Sequence, residues 1–488
     1  MYMTLLGKID RTVLNRELEY WHIPGIAVGV TRRGFPDEVL CAGFRDKELG
    51  LSFNEDTIFG IASCSKSMNS ALIAMLADEK KIDIDVPVKE YAPELRMFDP
   101  EADEKMTLRD MLCHRTGMGG YDILWPDPKG REDVAERIRY LKPNEKFREK
   151  AQYSNLFYAL TGYVIEQATG RSWDSLMKDY IFEPLGMTRT HCLADDIISD
   201  SNHAQPYQMI NDKVVKLPFW RMDMAGPAAS VGSSIKDMLK WIRFHIDGGK
   251  NSSGSQLVST ENFNRMHQKH MYFDDSGRPD DDVSKCDGYG LGWQTGTYRG
   301  HPLQKHSGKI NGYSSLQAYL PEDGIGIVLM HNLHAPADDI FYPLMYAILD
   351  HNLGFPEEDW FGRFQDKSVK PDPSKYNWCF VDMTSDKLDK ETKGSPFEYN
   401  ICDWLGSYAD KGYGELALLN PSEDSYIVRY RDQSLKLHHW GENQFWLEGV
   451  KADTETRKVP VQLLNENDVP AISIWYEQMY EPVIFRKR

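Results

Sequence analysis

The sequence predicts an α+β fold, an antiparallel sheet flanked by helices, followed by a small all-β barrel. Three observations carry this. Hairpin signals stand near both ends of a region spanning residues 1–352, and the sequence between them is mostly helical in pattern. A charged stretch with Pro356, Pro371 and Pro373, residues 353–375, reads as a linker. The last segment, 376–488, holds short alternating runs rich in aromatics, the pattern of a small antiparallel barrel or sandwich.

The elements follow in order. Residues 1–21 read as a charged amphipathic helix and lack the cationic start, apolar run and small-residue cleavage site of an export signal. Ile26 to Val30 and Val39 to Ala42 flank a turn containing Arg33-Gly34, a hairpin signal. Met68, Ala71, Leu72, Met75 and Leu76 fall at helical spacing and predict a helix with one buried face. Thr107-Leu108-Arg109-Asp110 is a capping-box pattern opening another helix. Leu156, Leu160, Tyr163 and Val164 repeat the helical stripe, which ends at Gly170. Leu316 to Leu320 and Ile325 to Met330 flank Pro321-Glu322-Asp323-Gly324, a second hairpin with strong turn chemistry. Residues 338–352 look helical. Strands at both extremes around a helical middle imply one sheet built from the two ends of residues 1–352. In the barrel segment, Leu416 to Leu419, Tyr426 to Val428 and Val461 to Leu464 are the clearest strands, and Trp378, Trp404, Trp440, Trp446 and Trp475 all fall there.

Composition excludes several function classes. Of 488 residues, 41% are hydrophobic and 27% charged, as in an ordinary globular protein. The net charge of −17, without a Lys/Arg-rich run, argues against nucleic acid or an anionic membrane as partner. No apolar stretch approaches the ~20 residues of a membrane span. The seven cysteines are scattered with no Cys-x-x-Cys pair, so reduced thiols and a cytoplasmic location are expected.

Ser63-Cys64-Ser65-Lys66 stands at the start of the first striped helix. Three residues apart on a helix, the Ser63 and Lys66 side chains share a face, whereas Ser65 and Lys66 do not. A serine hydroxyl is a poor nucleophile until a nearby base takes its proton. A lysine, with an ordinary pKa of ~10.4, can be that base when desolvated or placed near positive potential, which a helix N-terminus supplies. Tyr153-Ser154-Asn155 precedes the second striped helix. A phenol beside an ammonium can share its proton, so Tyr153 can relay protons to a leaving group. The Asn155 amide can hold Lys66 and a substrate carbonyl together. His306-Ser307-Gly308 lies just before the second hairpin. A strand edge there would complete an oxyanion hole with the N–H of Ser63, and Gly308 suits a place where substrate passes close to backbone.

Taken together and in this order, these motifs resemble the serine β-lactamase and penicillin-recognising peptidase superfamily, whose class A signature is Ser-x-x-Lys, Ser-Asp-Asn and Lys-Thr-Gly. Tyr153-Ser154-Asn155 is similar to the second motif of class C β-lactamases, D-aminopeptidases and related esterases, and His306-Ser307-Gly308 resembles the D-aminopeptidase and esterase branch. Supporting resemblance runs from about residue 17 to 350, through Ile23-Pro24-Gly25, Phe59 to Ser63, His114-Arg115-Thr116-Gly117, Glu183 to Met187 and Tyr289 to Trp293. Residues 147–152 make a longer approach to Tyr153 than is usual, and branch members with such an approach often carry a C-terminal lipocalin-like barrel.

The resemblance implies Ser63 as nucleophile, Lys66 and Tyr153 as general base and acid, and Asn155 as substrate-positioning. His306 and Gly308 would line the site, and the N–H groups of Ser63 and Lys309 would form the oxyanion hole. The expected cycle is acylation of Ser63, departure of an amine or alcohol, then hydrolysis. A largely neutral His306 holds a substrate carboxylate poorly. Peptidase or amidase action on small peptides or amides, D-residues among them, therefore ranks above β-lactam hydrolysis. Carboxylesterase and acyl-transfer action share every residue and stay open. A catalytically silent binding or scaffolding protein is the non-enzyme alternative, and the completeness of three motifs speaks against it.

Expected partners are a small molecule or short peptide, with homo-oligomerisation left open; no cofactor is implied. His331/His334, His267/His270 and His438-His439 lack the carboxylate pattern of a metal site. Gly288 to Gly292 lacks a following helix and reads as close strand packing, not a dinucleotide loop.

Overall fold

The computed structural model describes residues 4–121, 130–210, 213–273, 282–334, 340–365, 400–422, 425–430, 433–441, 444–448, 458–466, 469–475 and 482–488. Trp378, Cys379, Pro371 and Pro373 lie outside the described residues, as do residues 338–339 of the expected helix.

Seven main strands build the first sheet: β1 (Gly25–Arg32), β2 (Glu38–Asp46), β3 (Ser284–Tyr289), β4 (Gln294–Tyr298), β5 (His301–Ile310), β6 (Tyr313–Leu320) and β7 (Ile325–His331). Their order is β2-β1-β7-β6-β5-β4-β3, with Leu51–Ser52 and Met271–Tyr272 as short edges. All neighbours are antiparallel; β1 meets β7 in the register Ile26 opposite His331, so the two ends of the region do share one sheet. Both expected hairpins form, with Ile26 opposite Ala42 and Leu320 opposite Ile325.

Alternation places the central strands between two cores. Ile26, Val28 and Val30 join Ile325, Ile327 and Leu329 in one core with Leu14, Leu18, Leu344 and Ile348. Those partners come from α1 (Arg11–Tyr20) and from Phe341–Leu353. On the opposite face, Ala27, Val328 and Met330 join a core shared with Leu239, Trp241 and Ile242.

α2 (Ser65–Asp78) starts just after Ser63, and α3 (Asn155–Thr169) ends at Gly170 with φ 68°, the left-handed C-cap its sequence announced. α4 (Ile235–Ile246) lies on the sheet. The capping box at Thr107 and Asp110 is present with both of its bonds. One expectation fails: α2 does not have a single buried face. Every residue from Ser65 to Leu76 is buried, because its polar side chains find internal partners. Asn69 donates to Thr161 Oγ1 and accepts from Trp173 Nε1, while Ser67 donates to the Cys64 carbonyl. A buried polar group with partners costs little, so a helix of mixed pattern can sit at the centre of the domain.

Within the expected linker, Trp360–Gln365 is helical, and Trp360 is buried in the same core as α1. Beyond it, eight strands close a barrel, running from Gly406–Asp410 to Val483–Lys487, with Tyr408 opposite Lys487 at the seam. Leu416, Leu418, Val428, Tyr430, Leu447 and Phe485 are buried, so inward side chains fill its interior, as eight strands allow. No helix among the described residues is long and apolar enough to cross a membrane.

Candidate active site

Ser63 sits in a single tight turn, Ala62–Cys64, that leads into α2. Ala62 has φ 47°, a left-handed conformation costly for a residue with a Cβ and of the kind that concentrates at functional turns. One turn along, Lys66 is completely buried. Its Nζ lies 3.0 Å from Ser63 Oγ, 2.6 Å from Asn155 Oδ1 and 2.9 Å from the Ala228 carbonyl oxygen. The last two partners are pure acceptors and fix two N–H directions. Tetrahedral geometry then turns the remaining direction towards Ser63. Tyr153 completes the group, its hydroxyl 2.9 Å from Ser63 Oγ. The Lys66 ammonium position is 4.8 Å from the centre of the Tyr153 ring and 5.3 Å from that of Tyr158, within cation–π range.

Asn155 is the first residue of α3, and Ser154 is its N-cap. The irregular segment before it is tied to a second loop by backbone bonds: Asn144 N–H and Glu145 N–H donate to the Gly117 carbonyl, Arg148 N–H to that of Arg115, and Gln152 N–H to that of His114. Beneath both loops the buried Asp110 carboxylate accepts from Arg115 and Arg148, and these hydrogen-bonded cations hold its pKa below the usual carboxylate range despite burial.

The third motif lies on β5, an interior strand rather than a sheet edge. Pairing with β4 stops at Gln294 opposite Lys305. His306 to Ile310 therefore run past the end of β4 and present a locally free edge to the Ser63 turn. Cys64 Sγ donates to the His306 carbonyl at 3.3 Å. A Cβ on Gly308 would stand 2.5 Å from the Ile61 carbonyl oxygen and 2.7 Å from Ser63 N. The glycine thus lets β5 pack directly against the backbone of the Ser63 turn. Lys309 is exposed and pairs with Ser314 across the hairpin.

His306 is buried with both ring nitrogens engaged. Its Nδ1 is 2.6 Å from the Ser307 carbonyl oxygen and its Nε2 is 2.8 Å from the Tyr289 hydroxyl. Nδ1 therefore carries the proton and Nε2 accepts from Tyr289. Burial, followed by the positive charge of Lys66, pushes its pKa down to about 3, so the ring is neutral near pH 7. Cys64, also buried, has its thiol pushed up to about 12 by desolvation, which makes it an inert filler.

The sequence did not single out two participants by role. The Ala228 carbonyl is a main-chain group that any residue type would provide, so no sequence signal points to it. Tyr289, the partner of His306, lies in the glycine-rich Gly288 to Gly292 stretch. That stretch packs on α2: a Cβ on Gly292, which has φ 78°, would stand 2.7 Å from the Lys66 carbonyl oxygen.

The chain matches the family described as Beta-lactamase over residues 14–348. It is 26% identical over 455 residues to the unguisins hydrolase ungD of Aspergillus violaceofuscus, covering 88% of this chain and 79% of that one. Its fold is similar to that of the octameric penicillin-binding protein homologue from Pyrococcus abyssi, with a TM-score of 0.60 at 22% identity over 98% of both chains. D-amino acid amidase from Ochrobactrum anthropi is similar over 70% of this chain and 97% of that one, with a TM-score of 0.58 at 21% identity.

Proposed function

The chain belongs to the Beta-lactamase family, and on that premise we propose that it is a serine hydrolase that forms an acyl-enzyme on Ser63 and acts as a peptidase or amidase on small peptides or amides. The observation that carries this reading is the convergence of Lys66 Nζ, at 3.0 Å, and the Tyr153 hydroxyl, at 2.9 Å, on one serine oxygen. Once Lys66 has given up its ammonium proton, its two remaining N–H groups stay with Asn155 and Ala228 and its lone pair points at Ser63.

Ser63 Oγ attacks the substrate carbonyl carbon while its proton passes to Lys66. The N–H groups of Ser63 and Lys309 hold the oxygen that becomes negative. Tyr153 delivers a proton to the departing amine and recovers one from Lys66. Water then attacks the acyl-enzyme, gives up its proton through the same pair, and releases the acid and the free Ser63 hydroxyl.

The neutrality of His306 supports amides over β-lactams, because a neutral imidazole already bonded at both nitrogens offers no cation to a substrate carboxylate. The name of the unguisins hydrolase supports hydrolysis, and that of the D-amino acid amidase supports amide bonds and extends the reading to D-residues. The octameric Pyrococcus abyssi relative extends it to a homo-oligomer, which light scattering of the purified chain would read directly. Intact-mass analysis after a fluorophosphonate probe tests the mechanism: wild type gains one adduct and Ser63→Ala none. Labelling of both proteins, or of neither, overturns it. Stereoisomeric dipeptides, amides, esters and a chromogenic cephalosporin assayed in parallel rank the substrate classes.

A further inference from the structure

Tyr153 lies on an irregular segment, and one residue grips that segment from two sides. The His114 carbonyl accepts from Gln152 N–H at 2.7 Å. The His114 ring accepts at Nδ1 from Ser154 N–H at 3.1 Å. The two peptide N–H groups that bracket Tyr153 thus end on the same histidine. The imidazole also lies against the Tyr153 ring, with centroids 4.4 Å apart and planes tilted by 37°, and against Tyr158 and Tyr289 at 5.0 and 4.8 Å. From these contacts we infer that His114 is a positioning residue for Tyr153. The inference rests on the serine-hydrolase reading and adds a residue to that same site.

The backbone of His114 strengthens the point. It follows the short helix Leu108–Leu112 with φ 61°, the left-handed position where glycine or asparagine ends a helix without strain. A histidine here bears that strain, and its ring makes contacts that glycine could not. Accepting at Nδ1 requires an unprotonated ring nitrogen there, since an added proton would set N–H against N–H. Burial, helped by the charge of Lys66, holds the pKa of His114 well below its ordinary value and keeps that acceptor available. Positional errors of about 1 Å in a reacting group cost on the order of a hundredfold in rate, so the grip bears on proton delivery by Tyr153.

Two substitutions separate gripping from filling. His114→Leu fills the buried space but offers no acceptor. His114→Asn fills it poorly, yet places an amide oxygen near the position of Nδ1 and tolerates the left-handed backbone. Each is assayed with aminoacyl p-nitroanilides, whose departing amine needs a proton, and with a fluorophosphonate, whose departing fluoride does not. The expected result for H114L is a kcat loss of about 10- to 100-fold on the anilide with KM changed less than about twofold, and a smaller loss of labelling rate. H114N should stay within about threefold to fivefold of wild type in kcat even with a lower melting temperature. If H114L keeps wild-type kcat, or if the two variants rank in activity as they rank in melting temperature, the inference falls. Should H114L fail to accumulate, H114M takes its place in the same comparison. Ser63→Ala separates the two levels: activity surviving in S63A removes the hydrolase reading and this inference with it, whereas an inactive S63A beside a fully active H114L removes this inference alone.

Discussion

The two halves of the site are built differently. Ser63 and Lys66 belong to one turn and the helix that continues it, so three residues of local geometry set their 3.0 Å approach. Tyr153 comes from a segment without regular structure, held by a loop around residues 114–117 and by the ion pairs of Asp110. The backbone spacing of the helical half is local, and only the direction of its Lys66 amine is set from outside, by Asn155 and Ala228. The tyrosine half borrows a scaffold from residues 36 to 43 positions before Tyr153, and substitutions far from the reacting atoms should therefore reach catalysis mainly through it.

The largest effects test whether the halves act as one unit. Ser63→Ala and Lys66→Ala should each abolish turnover, and Tyr153→Phe should lower kcat by about 10²- to 10⁴-fold, the usual range for loss of a proton-transfer group. Steady-state kinetics on the best amide substrate would check this, and a mild Tyr153→Phe would remove the tyrosine from the unit.

Next comes the borrowed scaffold. Asp110→Asn leaves two partly exposed arginines facing a neutral group; water screens the charges left behind, so the loss is that of charge-assisted hydrogen bonds, about 1–3 kcal/mol. Urea denaturation should show that loss, and kcat should fall further than in a helix-side variant of equal destabilisation. Equal falls in both would dissolve the contrast between the halves.

Acid should weaken the tyrosine half. Burial lowers His306 to about 3 and holds His114 well below its ordinary value; away from the site, His267 is lowered to about 4. The unfolded chain takes up these protons near pH ~6.5 and the folded chain only at the lowered values. Between those limits the unfolded state binds more protons, so stability drops as pH drops. His306 and His267 each cost up to about 2 kcal/mol by pH 5, and His114 acts in the same direction. Asp110 acts lower in the scale: its depressed pKa keeps its contribution intact above the ordinary carboxylate range and loses it as pH falls through the folded value. A melting temperature unchanged between pH 7.5 and 5 would contradict the buried, neutral histidines.

The smallest effect concerns the barrel. Its Asp410–Gly414 turn reaches the tyrosine half, where a Cβ on Gly412 would stand 2.5 Å from a terminal carbon of Leu141 and the Tyr413 ring lies 6.4 Å from that of Tyr121. Gly412→Ala should cost about 1 kcal/mol, the low end for overpacking, because the Leu141 side chain can turn aside. An accompanying twofold to threefold change in kcat would extend the scaffold of Tyr153 into the second domain, and an unchanged kcat would confine it to the first.

Much of this was legible in the sequence because it depends on short spacings. The Ser63/Lys66 interval, the two hairpins, the Thr107 capping box and the Gly170 stop are all read within a few residues, and the structure forms each of them. The single-faced reading of α2 failed because Asn69 and Ser67 find partners on elements that the helix's own pattern does not reveal. The third motif was read as a strand edge, and whether β5 ends up at an edge depends on how far β4 extends beside it.

By itself the sequence determined which groups could do the chemistry and placed two of them on one helical face, since backbone geometry fixes the relation between residues three apart. Only the tertiary structure decided that Tyr153 meets Ser63, that the Ala228 carbonyl orients Lys66, and that His306 faces Tyr289 in a neutral form. Those relations join residues 17 to 162 positions apart in the chain, and their distances follow from how sheet and helices pack, a sum over many contacts that no local pattern encodes.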